Sequence, residues 1–274
     1  MQPQILVVTD PPHRDVQFAS VAALLGIEET DLRAKLGYPA PEVLLATDPG
    51  PAVDFASSLR NAGLSVAVID GRELTTVPWP RPVTSFALTD DALVAQVDGG
   101  EVSIPYTVSV VGVYCTPADN GNAGDAERSA LMTNAADPIA VVEALEWSTL
   151  LDLYIDGGQP VERITFVRET TDFAGLGNAR RSTAAENMAT LLAELRHRFT
   201  DFALDARLEG VRPRARFVMG DKDFDYDLRK LYSFGTLLLR QILDAISRDL
   251  TDITQYELGS RLSYVLSRQR RTGR

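Results

Sequence analysis

The densest run of potential metal ligands in the chain is Gly220-Asp221-Lys222-Asp223-Phe224-Asp225-Tyr226-Asp227. Asp221, Asp223, Asp225 and Asp227 stand at alternate positions, a spacing with which carboxylate oxygens could gather round a hard cation such as calcium. An EF-hand loop also requires glycine at its sixth place and glutamate at its twelfth. Counted from Asp221, those places hold Tyr226 and Tyr232, so that loop is excluded. The same acids suit the start of a following helix, whose positive end they complement. The expectation is therefore no metal and no cofactor, with these four aspartates as the metal candidates.

A second string, Gly175-Leu176-Gly177-Asn178-Ala179-Arg180-Arg181-Ser182-Thr183, has the composition of a phosphate loop. It lacks the Walker lysine and does not meet the glycine fingerprint of dinucleotide folds. Thr183 and Glu186 have capping-box spacing, which makes the string a loop leading into a helix. Arg180 and Arg181 are the anion-binding candidates.

Nucleophilic and zinc chemistry find little material. The chain has two histidines and one cysteine. His13 lies in a Pro-Pro turn and His197 between Arg196 and Arg198, too poor a set for a zinc site without thiolates. Cys115 follows the apolar run Val108 to Tyr114 and reads as a thiol at a strand end. No serine sits in a nucleophile-elbow glycine pattern. No catalytic residues are assigned, and the chain is expected not to be an enzyme.

Charge narrows the partners. The formal net charge of −11 disfavours phosphate backbones and anionic lipid. The single basic patch is the tail, Arg268, Arg270, Arg271 and Arg274, whose cations also suit a helix C-terminus. No apolar stretch approaches the ~20 residues of a membrane span, and the first residues lack the basic start of a secretory signal. One cysteine allows no intrachain disulfide, which fits a reducing, cytoplasmic location.

These side chains must be positioned by a mixed α+β chain in three parts. Over residues 1–75, Ile5-Leu6-Val7-Val8 predicts a strand. A helix follows with Val16, Val21, Leu24 and Leu25 on one face, then a second helix over Glu28 to Leu36. Glu42 to Ala46 predicts a strand or helical turn. Thr47-Asp48-Pro49-Gly50-Pro51 starts a helix to about Asn61 with Val53, Ala56 and Leu59 inward, and Leu64 to Ile69 is a strand. Leu24-Leu25-Gly26-Ile27, the acidic helix, and Ala52-Val53-Asp54-Phe55-Ala56 through Leu64-Ser65-Val66 resemble the C-terminal domain of the bacterial ribosomal stalk protein. The resemblance implies a small ferredoxin-like or stalk-like docking module. That family recruits translation factors through basic residues where this chain has Glu28 and Glu29, so factor binding does not carry over.

Residues 78–200 are strand-rich. Strands are expected at Ser85–Leu88, Ala92–Val97, Glu101–Ile104, Val108–Tyr114, Leu150–Ile155, Val161–Val167 and Thr171–Ala174, with an Asp98-Gly99-Gly100 hairpin turn. Residues 116–147 form an insertion with a helix beginning at Asp137-Pro138. A helix from Ala184 to about Phe199 carries Met188, Leu191, Leu192, Leu195 and Phe199 on one stripe. Seven antiparallel strands capped by a helix resemble the pleckstrin-homology-like barrel in element order. The resemblance implies a binding module, but the first hairpin, Leu88 to Ala92, has no cation for a phosphoinositide. Residues 201–274 are expected to be helical, with a long helix over Leu228 to about Arg248 and a last one over Ile253 to about Ser267.

These features together point to a non-enzymatic interaction or scaffold protein with a protein partner or self-association. The alternative is a small-ligand- or nucleotide-binding regulator, or an enzyme, using the acidic or the glycine-rich loop.

Overall fold

The run Gln4–Val8 forms strand β1, the middle of a three-stranded sheet in the order β2-β1-β3. Strands β2 (Glu42–Thr47) and β3 (Val66–Asp70) both run antiparallel to it. Helices α1 (Phe18–Leu25) and α2 (Glu29–Leu36) connect β1 to β2. Helix α3 (Pro49–Asn61) connects β2 to β3, and the short α4 (Gly71–Thr75) follows. The structure, a computed structural model, describes residues 4–37, 41–117, 148–157, 160–211 and 255–273. These fall into two compact units, the first holding 4–76 with 272–273, the second 77–211 with 255–271.

In the first unit, Leu6, Val8, Val21, Leu32, Leu44, Ala52, Ala56 and Leu59 share one core. The strand–helix–helix–strand–helix–strand order is the one expected, and the ambiguous stretch from Glu42 is a strand. Two residues expected inside are outside: Leu24 is 40% and Val53 63% exposed. The buried stripe of α3 is Ala52, Ala56 and Leu59, offset by one residue from Val53. One position is about 100° of helical turn, enough to carry Val53 off the apolar face.

The second unit begins with an antiparallel meander, β4 (Val83–Leu88), β5 (Ala92–Val97) and β6 (Gly100–Pro105). A four-stranded sheet follows, built from β7 (Ser109–Pro117), β8 (Leu150–Ile155), β9 (Glu162–Val167) and β10 (Asp201–Val211) in the order β10-β7-β8-β9. Its strands are antiparallel except β10, which pairs parallel with β7. Isolated bridges from Pro82 to Thr165 and from Ser85 to Asp172 tie the two sheets together.

Three expectations for this region are corrected. The strands do not close into an antiparallel barrel: they lie in two sheets, and one pair is parallel. Parallel pairing needs a crossover, which helix α5 (Ala184–Arg198) supplies between β9 and β10. The expected strand at Thr171–Ala174 gives way to a 3-10 helix over Phe173–Ala179, started by the Asp172 carboxylate accepting from the Ala174 amide. Residues 201–211, expected within a helical tail, are β10. The expected insertion's helix at 137–147 and the long helix at 228–248 lie outside the described residues. The last helix, α6, spans Gln255–Thr272 and, up to Arg271, belongs to the second unit.

Strand alternation divides the four-stranded sheet into two chemically different faces. Val110, Leu151, Leu153, Ile164 and Phe166 point into an apolar core with Phe86, Leu93, Met188, Leu191 and Leu195. The opposite face carries Asp152 and Tyr154 from β8 and Arg163 and Thr165 from β9. Among the described residues no helix is long and apolar enough to cross a membrane.

Candidate functional site

Asp152 interrupts an otherwise apolar strand, Leu-Leu-Asp-Leu-Tyr-Ile, and is wholly buried. The β8–β9 register sets it opposite Thr165, and sets Tyr154 opposite Arg163. All four side chains therefore stand on one face. Helix α6 lies on that face. Every residue from Tyr256 to Leu266 is buried, including Glu257, Ser260, Arg261 and Ser263. Polar groups so placed must find partners within the protein.

Asp152 receives four donors. Arg163 Nη2 reaches Oδ2 at 2.8 Å, Ser260 Oγ reaches it at 2.6 Å, and the Tyr256 hydroxyl also donates there. Thr165 Oγ1 donates to Oδ1 at 2.5 Å. With Ser260 donating to Asp152, the Tyr154 hydroxyl, 2.7 Å away, donates to Ser260. Glu257 Oε1 accepts from Arg163 Nη1 at 2.7 Å and from Arg261 Nε at 2.6 Å. Two carboxylates and two guanidinium groups balance. Asp152, Arg163 and Glu257 are 0% exposed and Arg261 1%.

The electrostatics follow from that enclosure. Burial works against the Arg163 charge, but Asp152 and Glu257 outweigh it and hold its pKa well above the ordinary value. Burial first, and Asp152 second, push the Tyr256 hydroxyl far up. Tyr154 rises likewise, mainly through burial, and its ring stacks on Tyr264 with centroids 4.4 Å apart. The same helix is tied down further along: Asp156 lies within reach of Tyr264 and Arg268, while Arg271 bonds Ser109, the Val110 carbonyl and Asp201. On β10, Asp205 is chelated by Arg207; these bonds overcome burial and lower its pKa.

What this arrangement does chemically is hold charge still. Every charged member faces an opposite charge at hydrogen-bond distance under full cover, so the cluster fixes the register of α6 on the sheet. It was not expected from the sequence. The available signal was a lone Asp in an apolar strand and a lone Arg in the returning strand, at positions the hairpin register brings to one face. Polar side chains in this chain serve more than turns, caps and solubility.

The residues singled out in the sequence are scattered. Asp221, Asp223, Asp225, Asp227 and Arg274 lie outside the described residues. Arg180 and Arg181 are exposed, just ahead of α5. The N-terminal turn there is occupied by the chain itself: Thr183 Oγ1 accepts from the Glu186 amide at 3.2 Å, and Glu186 Oε2 accepts from the Thr183 amide at 3.1 Å. Asn187, buried, bonds the Arg181 amide and carbonyl. Packing accounts for the first glycine of the loop and backbone conformation for the second. A Cβ on Gly175 would stand 2.0 Å from the Phe86 carbonyl oxygen, and Gly177 has φ 54°.

Cys115 sits buried in β7, and burial, helped by nearby Asp152, pushes its thiol up to about 12. It is a core side chain within the strand. His13 lies in the turn after β1, and His197 at the end of α5. In the tail, Arg268 and Arg271 are engaged within the chain, while Arg270 is exposed. Among the described residues no three His, Cys, Asp or Glu side chains come together as a metal-binding set. No protein-family model, curated protein or solved structure matches the chain.

Proposed function

We propose that this chain is a non-catalytic protein-interaction or scaffold protein that works through a protein partner or by self-association. The observation that carries the reading is the closed cluster of Asp152, Arg163, Glu257 and Arg261. Where acids and bases converge under cover, they are committed to holding a helix on a sheet. A helix addressed to a sheet face by matched charges is a recognition device used here in cis. A reducing, cytoplasmic location belongs to the same proposal and rests on the single cysteine. The likenesses to the stalk C-terminal domain and to the pleckstrin-homology-like class enter as proposals of shape, both kinds of small docking module. They rest on element order alone, and the open sheets of the second unit count against the second.

The test is size-exclusion chromatography with light scattering over a concentration series, beside thermal-shift assays with nucleotides and divalent cations. A defined oligomer, or a stoichiometric complex rebuilt from purified components, is the expected result. A strict monomer that gains saturable thermal stability from a nucleotide or a divalent cation would overturn the proposal in favour of the ligand-binding alternative.

A further inference from the structure

Two segments far apart in sequence meet on the same two arginines. The first is α6. The second is the crossing Val77-Pro78-Trp79-Pro80-Arg81-Pro82, which opens the second unit. Arg261, bonded to Glu257 on its own helix, also donates from Nη1 to the Val77 carbonyl at 2.8 Å. Its guanidinium carbon stands 4.7 Å from the centre of the Trp79 ring. Arg163 Nη1, which holds Glu257, lies 3.4 Å from the Pro78 carbonyl. The Thr165 amide donates to the Arg81 carbonyl at 2.9 Å, while its hydroxyl holds Asp152.

The sequence explains why the crossing depends on these donors. Prolines at 78, 80 and 82 remove three N–H groups and keep the backbone extended, so carbonyls and the Trp79 ring are what the segment offers. Arginine suits both sides of the contact, because its planar fork donates in several directions while its face stacks on an aromatic ring. If α6 left the sheet, Arg261 would leave with it, and the Val77 carbonyl and Trp79 would lose their partner. Arg163 would keep one carboxylate in place of two.

We propose that α6 and the crossing 77–82 form one latch, ordering and releasing together through Arg163 and Arg261. Whatever draws the helix off the sheet also frees the Val77–Trp79 end of the crossing, while the Arg81 carbonyl stays on the Thr165 amide of β9. The inference stands apart from the question of a partner, since it concerns contacts within one chain.

The test uses the whole 274-residue chain carrying Trp147→Phe, so that Trp79 is its one remaining tryptophan. Opening of α6 is followed by hydrogen exchange of residues 255–272, and opening of the crossing by acrylamide quenching of Trp79. Both are measured against urea, below the global transition seen by circular dichroism. Ser260→Ala removes contacts to Asp152 and Tyr154 and does not touch the crossing. It is expected to speed exchange in α6 by roughly 5- to 30-fold, the scale set by losing the two buried hydrogen bonds of one hydroxyl. The Trp79 quenching curve should move to lower urea by the same amount. A shift in one probe without the other, no shift in either, or opening of either only in the global transition, would overturn the latch. Tyr256→Phe, which removes the hydroxyl bonded to Asp152, is the second variant should Ser260→Ala not fold.

Discussion

Asp152 and Arg163 stand on neighbouring antiparallel strands with Oδ2 and Nη2 2.8 Å apart, and neither side chain is exposed. Removing one partner of such a pair strands the other in a medium that solvates it poorly, at about 3–5 kcal/mol. Arg163→Met and Asp152→Asn should each lower stability on that scale, read as a fall in the urea midpoint with little change in slope. Together they remove one charge of each sign and leave Glu257 with Arg261. The double variant should therefore be more stable than the sum of the single losses, by about 1–3 kcal/mol. Simple additivity would mean that the two side chains act independently, against the geometry.

Gly175 and Phe86 supply a second prediction. The 3-10 helix passes so close to β4 that a Cβ at 175 would lie 2.0 Å from the Phe86 carbonyl oxygen and 2.9 Å from its ring. That ring meets Phe166 and Phe173 edge to face, so it has little room to withdraw. Gly175→Ala should cost about 1–3 kcal/mol, measured by thermal or urea unfolding. A neutral substitution would remove packing as the reason for glycine there and return the loop to consideration as a ligand cradle.

Much of the scaffold was legible because local rules and tertiary packing agree. The Asp98-Gly99 turn, the Thr183–Glu186 capping box and the stripe from Met188 to Leu195 all appear where their residues put them. Readings failed where a distant segment decides the outcome. Nothing local in Asp201–Val211 shows that an earlier strand, β7, stands open to parallel pairing. Thr171–Ala174 has strand-like residues, yet the Asp172 carboxylate turns the chain into a 3-10 helix instead. The charge cluster was invisible for a related reason. Asp152 and Arg163 are a hairpin apart, but Glu257 and Arg261 arrive 94 residues or more later in sequence. Their pairing becomes readable only when α6 is known to lie on that sheet.

The capping box gives a third prediction, useful because it separates a structural loop from a binding one. Thr183→Ala deletes the acceptor for the Glu186 amide and should cost about 0.5–2 kcal/mol. Glu186→Gln keeps an acceptor for the Thr183 amide and should cost less. Unfolding midpoints of the two variants check the order; equal losses would show that charge, not reciprocal bonding, holds the turn.

The buried thiol makes a fourth prediction, on the alkaline side. Cys115 is raised by burial from an ordinary value of 9.0 to about 12, and Tyr264, by burial and then Asp156, from 10.0 to about 12. Both groups are neutral when protonated, so the folded chain keeps protons that the unfolded chain has released. Below pH 9 the two states hold the same number at Cys115, and its contribution is fully present. As pH rises from about 9 towards 12 the unfolded state binds fewer protons, and stability falls by about 1.4 kcal/mol per pH unit for a group in that window. Urea midpoints between pH 8 and 11 should fall, and between pH 9 and 10 the fall should be shallower in Cys115→Ala by about that amount. The native thiol should also stay inert to Ellman's reagent at pH 8 and react once when the protein is unfolded. A Cys115→Ala protein with the same alkaline slope as the parent would show that the thiol is not enclosed between β7 and its cover.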